Sequence, residues 1–267
     1  MQKAQTAKQE NEEAKELELI KLAVSAAQIE GEGTITTENL NNKLRTNFSD
    51  NEISIENPSY WYYKEYRIYK DGHIETGIPK EYQQVKYIES SGTQWIDTGK
   101  LLGYSNCFLL RVNASYWSNV TFGKNSNGRE CYFRGDRVNL NGKGLNINLL
   151  TNTWYDIIFD TTDGNASFYA NDELILESSG TNNHGKVYLF GGCNNYSSYD
   201  IDNFSKYKLE SFKTYNNEEL EQDYVPCYRK SDNEIGMYDL VSNTFFTNAG
   251  TGKFGYELKD GTYVAPQ

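Results

Sequence analysis

From Tyr82 onward the sequence consists of short strand-like runs separated by turn residues, and this pattern limits the possible folds more than any other feature. The turn clusters, rich in Asn, Gly, Asp and Ser, recur about every 10 to 15 residues, which is typical of all-β domains. The 22 Tyr and 22 Gly residues fit this pattern, because aromatic residues favour strands and glycine favours tight turns. The sequence therefore predicts a mainly β fold, an antiparallel jelly-roll β-sandwich.

Four segments carry the clearest strand signals. Trp154–Asp160 (WYDIIFD) and Ser167–Leu176 (SFYANDELIL) predict the strands of hairpins. Val187–Gly192 predicts a buried strand, and the alternation in Tyr207–Tyr215 predicts a half-buried one. A core built from these side chains needs no cofactor.

The start of the chain predicts a long helix. Residues 3–30 are rich in Ala, Glu, Lys, Gln and Leu, and Gly31 and Gly33 end the helical pattern. Three apolar side chains at spacings of three and four form a stripe that we expect to serve in docking or assembly: Leu17, Ile20 and Val24. Before them only alanines interrupt the charged residues, so we expect the first three turns to project as a partly frayed stalk.

A short second helix and a small antiparallel sheet are expected to complete this module. Thr36 or Thr37 is a candidate N-cap for a helix of one or two turns. The aromatic run Tyr60–Lys70 precedes Asp71-Gly72, a strong hairpin signal, and predicts a sheet that packs on the long helix. Gly and Pro residues then mark a boundary, with the helix and small sheet over residues 1–78 and the sandwich over residues 79–267.

Charge and hydropathy exclude several kinds of partner. The net charge is -11 and no cluster of Lys and Arg opposes it, so nucleic acid and anionic membrane surfaces are not expected partners. No run of 18 apolar residues occurs, and the chain begins on a charged helix. We expect any export signal or membrane helix to lie outside this sequence.

The four cysteines are too widely spaced for a CxxC metal or redox motif. We expect the cysteines to be free thiols, and a disulfide scaffold stays the alternative. The cysteines are Cys107, Cys131, Cys193 and Cys227.

Several long motifs resemble a known superfamily. They are YIESSGTQWIDTG at Tyr87–Gly99, NTWYDIIFD, SFYANDELI, LESFKTY, and DYVPCYRKSDNEIGMYDLVSNTFFTNAGTGKF at Asp223–Phe254. Through them, residues 82–254 resemble the laminin G-like, concanavalin A-like lectin/glucanase superfamily, in the version common in surface and prophage proteins of Gram-positive gut bacteria. The resemblance implies a β-sandwich that serves in binding.

The N-terminal residues resemble a second family. Through KAQTAKQENEEAKELELIKLAVSAAQIE and YWYYKEYRIYKDGHI, residues 2–73 are similar to the soluble part of type IV pilin-like proteins from the same bacteria. In those proteins the first segment directly follows a hydrophobic membrane helix. The prepilin cleavage site and that helix do not occur in this sequence, so either the chain is truncated, which we favour, or the membrane role does not apply. The resemblance implies an extracellular, cell-surface location and other pilin subunits as partners of the helix.

The sequence offers no convincing catalytic constellation. Retaining glucanases of this superfamily carry Glu-x-Asp-x-Glu on one strand face, but the nearest match, Glu173–Glu177, has Ile175 at its centre. The Gly of Thr161–Asn165 is misplaced for a sialidase-type Asp box. Two histidines, His73 and His184, offer almost no candidates for a triad or a zinc site. We therefore expect a protein that is not an enzyme.

No metal or cofactor is required by the sequence, although calcium stays open. Carboxylate and amide oxygens from separate loops can bind calcium, but no stretch has the ligand density of a calcium loop. The candidate ligands are Asp200, Asp202 and Asn203, or Asp160 and Asp163.

Two predicted loops combine aromatic rings with amide or carboxylate groups, as sugar-binding sites do. The alternative is that these aromatic side chains only cover the edges of the sandwich. The ligand-binding candidates are Tyr116, Trp117, Asn194, Asn195, Tyr196, Tyr199 and Asp200.

The sequence thus favours a surface-displayed binding protein, an adhesin or pilin-like accessory subunit that recognises a glycan or a surface protein through sandwich loops. Two alternatives stay open. One is a phage tail or prophage receptor-binding module, because the same sandwich motifs occur there. The other is a glycan-active hydrolase, which would require a carboxylate pair that the sequence does not reveal.

Overall fold

The computed structural model describes most of the chain. The described residues are 2–48, 53, 55–56, 60–63, 66–79, 81–102, 106–117, 122–124, 131–162, 165–180, 185–192, 201 and 203–267. For residues 2–14, 55–56, 62, 76, 102, 124, 185 and 203, the description is of the backbone alone. These residues divide into two compact units, Met1–Pro79 and Lys80–Gln267.

The first unit begins with two helices, α1 (Gln2–Glu30) and α2 (Thr37–Asn47). The predicted long helix is confirmed, and Gly33, at a φ of 95°, donates its N–H to the carbonyl of Gln28 at 2.8 Å beyond the last turn. Thr36 is the N-cap of α2 and forms a capping box with Asn39. α2 has 11 residues, which is longer than the one or two turns expected from the sequence.

A four-stranded antiparallel sheet follows the helices in the order β1-β2-β3-β4. Its strands are β1 (Ile55–Glu56), β2 (Tyr60–Tyr63), β3 (Tyr66–Tyr69) and β4 (Ile74–Thr76). The aromatic run Tyr60–Lys70 therefore forms two paired strands, and the predicted Asp71-Gly72 turn joins the second of them to β4. Gly72 lies at a φ of 88°, which the absence of a side chain permits.

The core of this unit lies between α1, α2 and the sheet. Ile20 and Val24 of α1 are buried in it together with Trp61 and Tyr66, and Leu17 packs against its margin. Within the described part of the chain, neither helix is both long and apolar enough to cross a bilayer.

The described residues of the second unit form twenty strands and no α-helix. The first ten are β5 (Tyr82–Gln84), β6 (Tyr87–Glu89), β7 (Ile96–Leu102), β8 (Asn106–Asn113), β9 (Phe122–Lys124), β10 (Cys131–Arg134), β11 (Arg137–Leu140), β12 (Lys143–Asn146), β13 (Trp154–Asp160) and β14 (Asn165–Ala170). The others are β15 (Glu173–Ser179), β16 (Gly185–Leu189), β17 (Gly191–Gly192), β18 (Asn203–Phe204), β19 (Lys208–Asn216), β20 (Glu219–Arg229), β21 (Glu234–Asp239), β22 (Thr244–Thr247), β23 (Gly255–Glu257) and β24 (Tyr263–Val264).

The described strands form one large antiparallel sheet and several smaller ones. The large sheet runs β15-β14-β13-β8-β19-β20-β21-β22, with β5, β6, β23 and β24 attached to it. The smaller sheets are β12-β11-β10-β9, the pair β16-β7 and the pair β17-β18. A single apolar core contains side chains from the large sheet and from the smaller ones, so the predicted mainly β, antiparallel sandwich is confirmed.

Phe122 of β9 connects the layers of this sandwich. Its ring centroid lies 5.5 Å from that of Phe108 in β8, 6.0 Å from Phe159 in β13 and 6.2 Å from Phe212 in β19. These three rings belong to adjacent strands of the large sheet, and all four side chains are fully buried. The predicted hairpin of β14 and β15 is also present, with Asn171 and Asp172 both at positive φ in its turn.

Gln94, in the first of the motifs that resemble the superfamily, links that motif to the end of the chain. Its fully buried amide donates hydrogen bonds to the carbonyls of Lys253 and Gln267, each at 3.1 Å. Its carbonyl oxygen accepts hydrogen bonds from Ser90 and Ser91. Because the buried polar groups satisfy each other, this motif stabilises the fold.

Asp239 plays a similar part in the closing motif. Its buried carboxylate accepts hydrogen bonds from the backbone N–H groups of Asp223, Val241 and Ser242, and from the Ser242 hydroxyl at 2.6 Å. These bonds fix the turn between β21 and β22 and tie it to β20. The carboxylate of Asp239 therefore has a structural role, because its oxygen atoms already accept these hydrogen bonds.

Replacing Phe122 by alanine should lower the free energy of unfolding by about 3 to 5 kcal/mol, because the ring fills the space between the layers. Phe122→Leu should cost less, since leucine retains more of the volume. Urea unfolding of the full chain measures both, with Tyr116→Ala as an exposed-site control. A loss below about 1 kcal/mol for the alanine variant would show that Phe122 does not hold the layers together.

Candidate functional site

The first predicted loop contains one exposed and one anchored aromatic side chain. Tyr116 is 64% exposed. The indole of Trp117 donates a hydrogen bond to the carbonyl of Leu150 at 3.3 Å and contacts Tyr155 edge-on at 6.4 Å between centroids. A Cβ at Gly135 would collide with the Trp117 side chain, so glycine lets the ring lie against the sandwich. Trp117 therefore supports the loop, and Tyr116 is the side chain that it presents to solvent.

The second predicted loop lies outside the described residues. Its candidates are Asn194, Asn195, Tyr196, Tyr199 and Asp200. Their part in binding therefore stays a prediction.

Glu173 and Glu177 lie on β15 on either side of an irregularity in its pairing with β14. Tyr169 and Phe168 of β14 pair with Leu174 and Leu176 of β15, which leaves the intervening Ile175 as a bulge. Both glutamates are exposed. The bulge disturbs the alternation that would place carboxylates together on one strand face.

The described residues hold no group of three or more His, Cys, Asp or Glu side chains that could bind a metal. Of the calcium candidates, Asp163, Asp200 and Asp202 lie outside the described residues, so a calcium site there stays open. His184 also lies outside them.

Three of the four cysteines are described. Cys107 and Cys227 are free thiols, and the thiol of Cys131 donates a hydrogen bond to the amide oxygen of Asn141 at 3.6 Å. Burial, with a contribution from the charge of Asp160, raises the pKa of the Cys107 thiol to about 12. Burial likewise raises the pKa of Cys227 to about 12. These thiols are poor nucleophiles at neutral pH.

A group of aromatic and charged side chains lies on the outer face of the large sheet, opposite the Phe122 core. We call it the outer-face cluster. It includes three aromatic residues (Tyr87, Trp154 and Tyr263), three cations (Lys86, Arg111 and Lys208) and four carboxylates (Glu89, Asp156, Glu210 and Glu257).

Strand register places these side chains together. Lys208 of β19 pairs with Glu89 of β6 and with Asn113 of β8, and Asn113 pairs with Trp154 of β13. Adjacent core residues such as Leu209 alternate with them and point inward. The cluster thus spans six strands in the order β13-β8-β19-β6-β23-β24, with Glu257 on β23 and Tyr263 on β24.

One half of the cluster is organised by Arg111. Its guanidinium donates to Asp156 at 2.7 Å and to Glu210 at 3.0 Å, and it lies 5.7 Å from the ring centroid of Trp154. The hydrogen bond to Asp156 is the main reason that the pKa of Arg111 is raised. The Trp154 ring in turn lies 5.8 Å from that of Tyr87.

The other half is organised by Tyr87 and Tyr263. Tyr87 donates its hydroxyl to Glu257 at 2.8 Å, and Tyr263 donates its hydroxyl to Glu89 at 2.7 Å. The hydrogen bonds from Lys86 and Tyr87 lower the pKa of Glu257. Lys208 donates to the Tyr87 hydroxyl at 3.1 Å and lies 4.6 Å from the Tyr87 ring centroid. Hydrogen bonding therefore holds these two rings in place.

This cluster was not predicted from the sequence. The alternation of outward and inward residues in β6, β8, β13 and β19 was a usable signal, because it separates Lys208 from Leu209 and Arg111 from Val112. The alternation does not show which strands are neighbours in the sheet. Residues 87–89, 106–113, 154–160 and 208–216 become neighbours only through the sheet.

The alkaline titration of Tyr263 tests this geometry. Burial, the hydrogen bond to Glu89 and that carboxylate's charge raise the pKa of Tyr263 from 10.0 to about 12. A raised pKa in the folded state means that the contact contributes stability below about pH 10 and loses it as the pH rises toward 12. The tyrosinate absorbance of the native chain minus that of Tyr263→Phe should therefore titrate near pH 12. A difference that titrates near pH 10 would contradict the contact.

No protein-family model and no curated protein matches the chain. Among solved structures, it is similar to a candidate carbohydrate-binding protein from Bacteroides ovatus ATCC 8483, with a TM-score of 0.44 and 13% identity over 77% of this chain and 69% of that one. It is also similar to an alginate lyase of polysaccharide lyase family 7, with a TM-score of 0.22 and 13% identity over 61% of this chain and 84% of the lyase. Scores this low assign neither a family nor a function to the chain.

Proposed function

We propose that this chain is a non-catalytic binding protein displayed outside the cell, an adhesin or pilin-like accessory subunit that recognises a glycan or a surface protein through loops of the sandwich. The observation that carries the proposal is the exposed ring of Tyr116 beside the anchored Trp117. Exposed aromatic side chains on loops held by a rigid scaffold are common binding elements.

The anchoring of the loop supports this function energetically. Trp117 is already held by Leu150, Tyr155 and the space above Gly135, so the neighbouring Tyr116 is attached to a pre-positioned backbone. Binding through a pre-positioned loop costs less conformational entropy than binding through a free one. Tyrosine adds an apolar ring and a hydroxyl with few rotatable bonds.

The surroundings of the carboxylates support binding over hydrolysis. Glu173 and Glu177 are exposed on a bulged strand, and Asp239 is buried and used in backbone hydrogen bonds. A retaining hydrolase needs two carboxyl groups about 5 Å apart across a bound sugar. None of these three carboxylates is arranged in that way.

The first unit would provide attachment or assembly. Leu22 and Ile29 of α1 are 63% and 80% exposed, while the neighbouring stripe of Ile20 and Val24 is buried against the small sheet. Exposed apolar side chains on a helix of this length are suited to packing against other subunits. The surface location and the pilin-like role rest on the sequence resemblance.

Replacing Tyr116 by alanine should weaken binding roughly 30-fold, because truncating an aromatic hot spot costs about 2 kcal/mol or more. Tyr116→Phe should retain most of the affinity, since it keeps the ring. The measurement is binding of the labelled full chain to a glycan array and to immobilised cell-surface proteins, with Leu174→Ala as an exposed control on β15. Equal binding by the Tyr116→Ala variant and the native chain would contradict a role for this loop.

The carboxylate variants Glu173→Gln and Glu177→Gln should leave binding and stability unchanged within about 0.5 kcal/mol, as is usual for surface positions. Neither the native chain nor the variants should release reducing sugar from a polysaccharide panel. Hydrolysis by the native chain that either substitution removes would overturn the non-catalytic proposal.

A further inference from the structure

The outer-face cluster contains a cation that its neighbours do not neutralise directly. Arg111 and Lys86 each form ion pairs with carboxylates. Among the described residues, the ammonium group of Lys208 has no carboxylate oxygen within 4.0 Å, and its hydrogen bond goes to the Tyr87 hydroxyl. The group also lies 5.8 Å from the ring centroid of Tyr263. A half-buried hydrogen-bond donor is thus held between two aromatic rings.

A carboxylate acceptor lies beside this donor. Glu89 pairs with Lys208 across β6 and β19, and Tyr263 holds it through one of its two oxygens. A carboxylate can accept several hydrogen bonds, so Glu89 retains capacity for a ligand. Tyr263 is 48% exposed, and its ring provides an apolar surface next to both groups. Ring, donor and acceptor therefore meet on an open sheet face.

This combination fits a pyranose. The C–H face of a sugar packs on an aromatic ring, while its hydroxyl groups both donate and accept hydrogen bonds. Hydrogen bonds to charged groups such as Lys208 and Glu89 are stronger than those between neutral groups. A flat apolar ligand without hydroxyl groups would remove water from both charged groups without offering either of them a further hydrogen bond, and would be disfavoured.

The charges of the cluster favour a neutral sugar over an acidic one. The cluster contains four carboxylates against three cations, and the chain carries a net charge of -11. An acidic sugar would approach Lys208 against this field and would lie close to Glu89 and Glu257. A neutral sugar meets no such repulsion.

We propose that the outer-face cluster is a binding site for neutral pyranose units of a polysaccharide, with Tyr263 as the stacking ring, Lys208 as hydrogen-bond donor and Glu89 as acceptor. The site is separate from the Tyr116 loop of the proposed function. Either can fail while the other stands.

Affinity gel electrophoresis of the full chain tests this site. The gels contain soluble neutral polysaccharides (a β-glucan, a xylan, a mannan and a galactan) or the uronate polymers alginate and polygalacturonate. At least one neutral polymer should retard the native chain, and Tyr263→Ala should weaken that retardation 10-fold or more. Tyr263→Phe should bind nearly as well as the native chain because it keeps the ring. The retardation of Lys208→Gln should lie between that of Tyr263→Ala and that of the native chain. Circular dichroism establishes that each variant is folded.

Matched controls separate this site from the loop. Leu174→Ala, at an exposed position of β15, should bind the neutral polymer as the native chain does. Added salt should change the affinity little, because a neutral ligand has no net charge to screen. The proposal is overturned if no neutral polymer retards the chain, if Tyr263→Ala binds normally, or if the uronate polymers bind through Tyr263. Loss of neutral-polymer binding in Tyr116→Ala alone would also overturn it and would assign that binding to the loop.

Discussion

The packing of Phe122 against Phe108, Phe159 and Phe212 is the interaction on which the sandwich depends. β9 pairs along its length with β10, and its single large ring reaches three adjacent strands of the facing sheet. Backbone hydrogen bonds hold strands within a layer, but they do not act between layers. The relative position of the layers is therefore set by how closely such rings interdigitate.

The outer surface follows from this inner packing. In each strand the residues that face Phe122 alternate with residues that face solvent, so orienting Leu209 inward orients Lys208 outward. The same constraint acts on β6, β8 and β13. The backbone beneath this surface is rigid, because displacing it would also displace a core residue of the same strand.

Much of the local structure could be predicted from the sequence, because its causes are local. The composition of residues 3–30 indicated α1, and Asn171-Asp172 and Asp71-Gly72 marked turns that are present. The length of α2 was underestimated, since Leu40 and Leu44 gain their stability from burial against the first unit's core. The division of Tyr60–Lys70 into two strands was not evident either, because both halves are equally aromatic and only their pairing separates them.

The candidate binding surfaces were less predictable. The exposed Tyr116 was identified because an aromatic residue in a loop stands out in sequence, but the anchoring of Trp117 depends on Gly135 and Leu150, which are distant in the chain. The bulge at Ile175 likewise depends on the partner strand. The outer-face cluster depends on the order of strands, which is set by tertiary packing and has no local signature.

Amide hydrogen exchange of β9 in the native chain tests most directly whether Phe122 fixes the layers. The strands β8, β13 and β19 should exchange slowly because each is paired on both sides. If Phe122 locks β9 against them, a peptide covering Phe122–Lys124 should be nearly as protected, although that strand is only three residues long. Exchange of this peptide at the rate of an exposed loop would contradict the account.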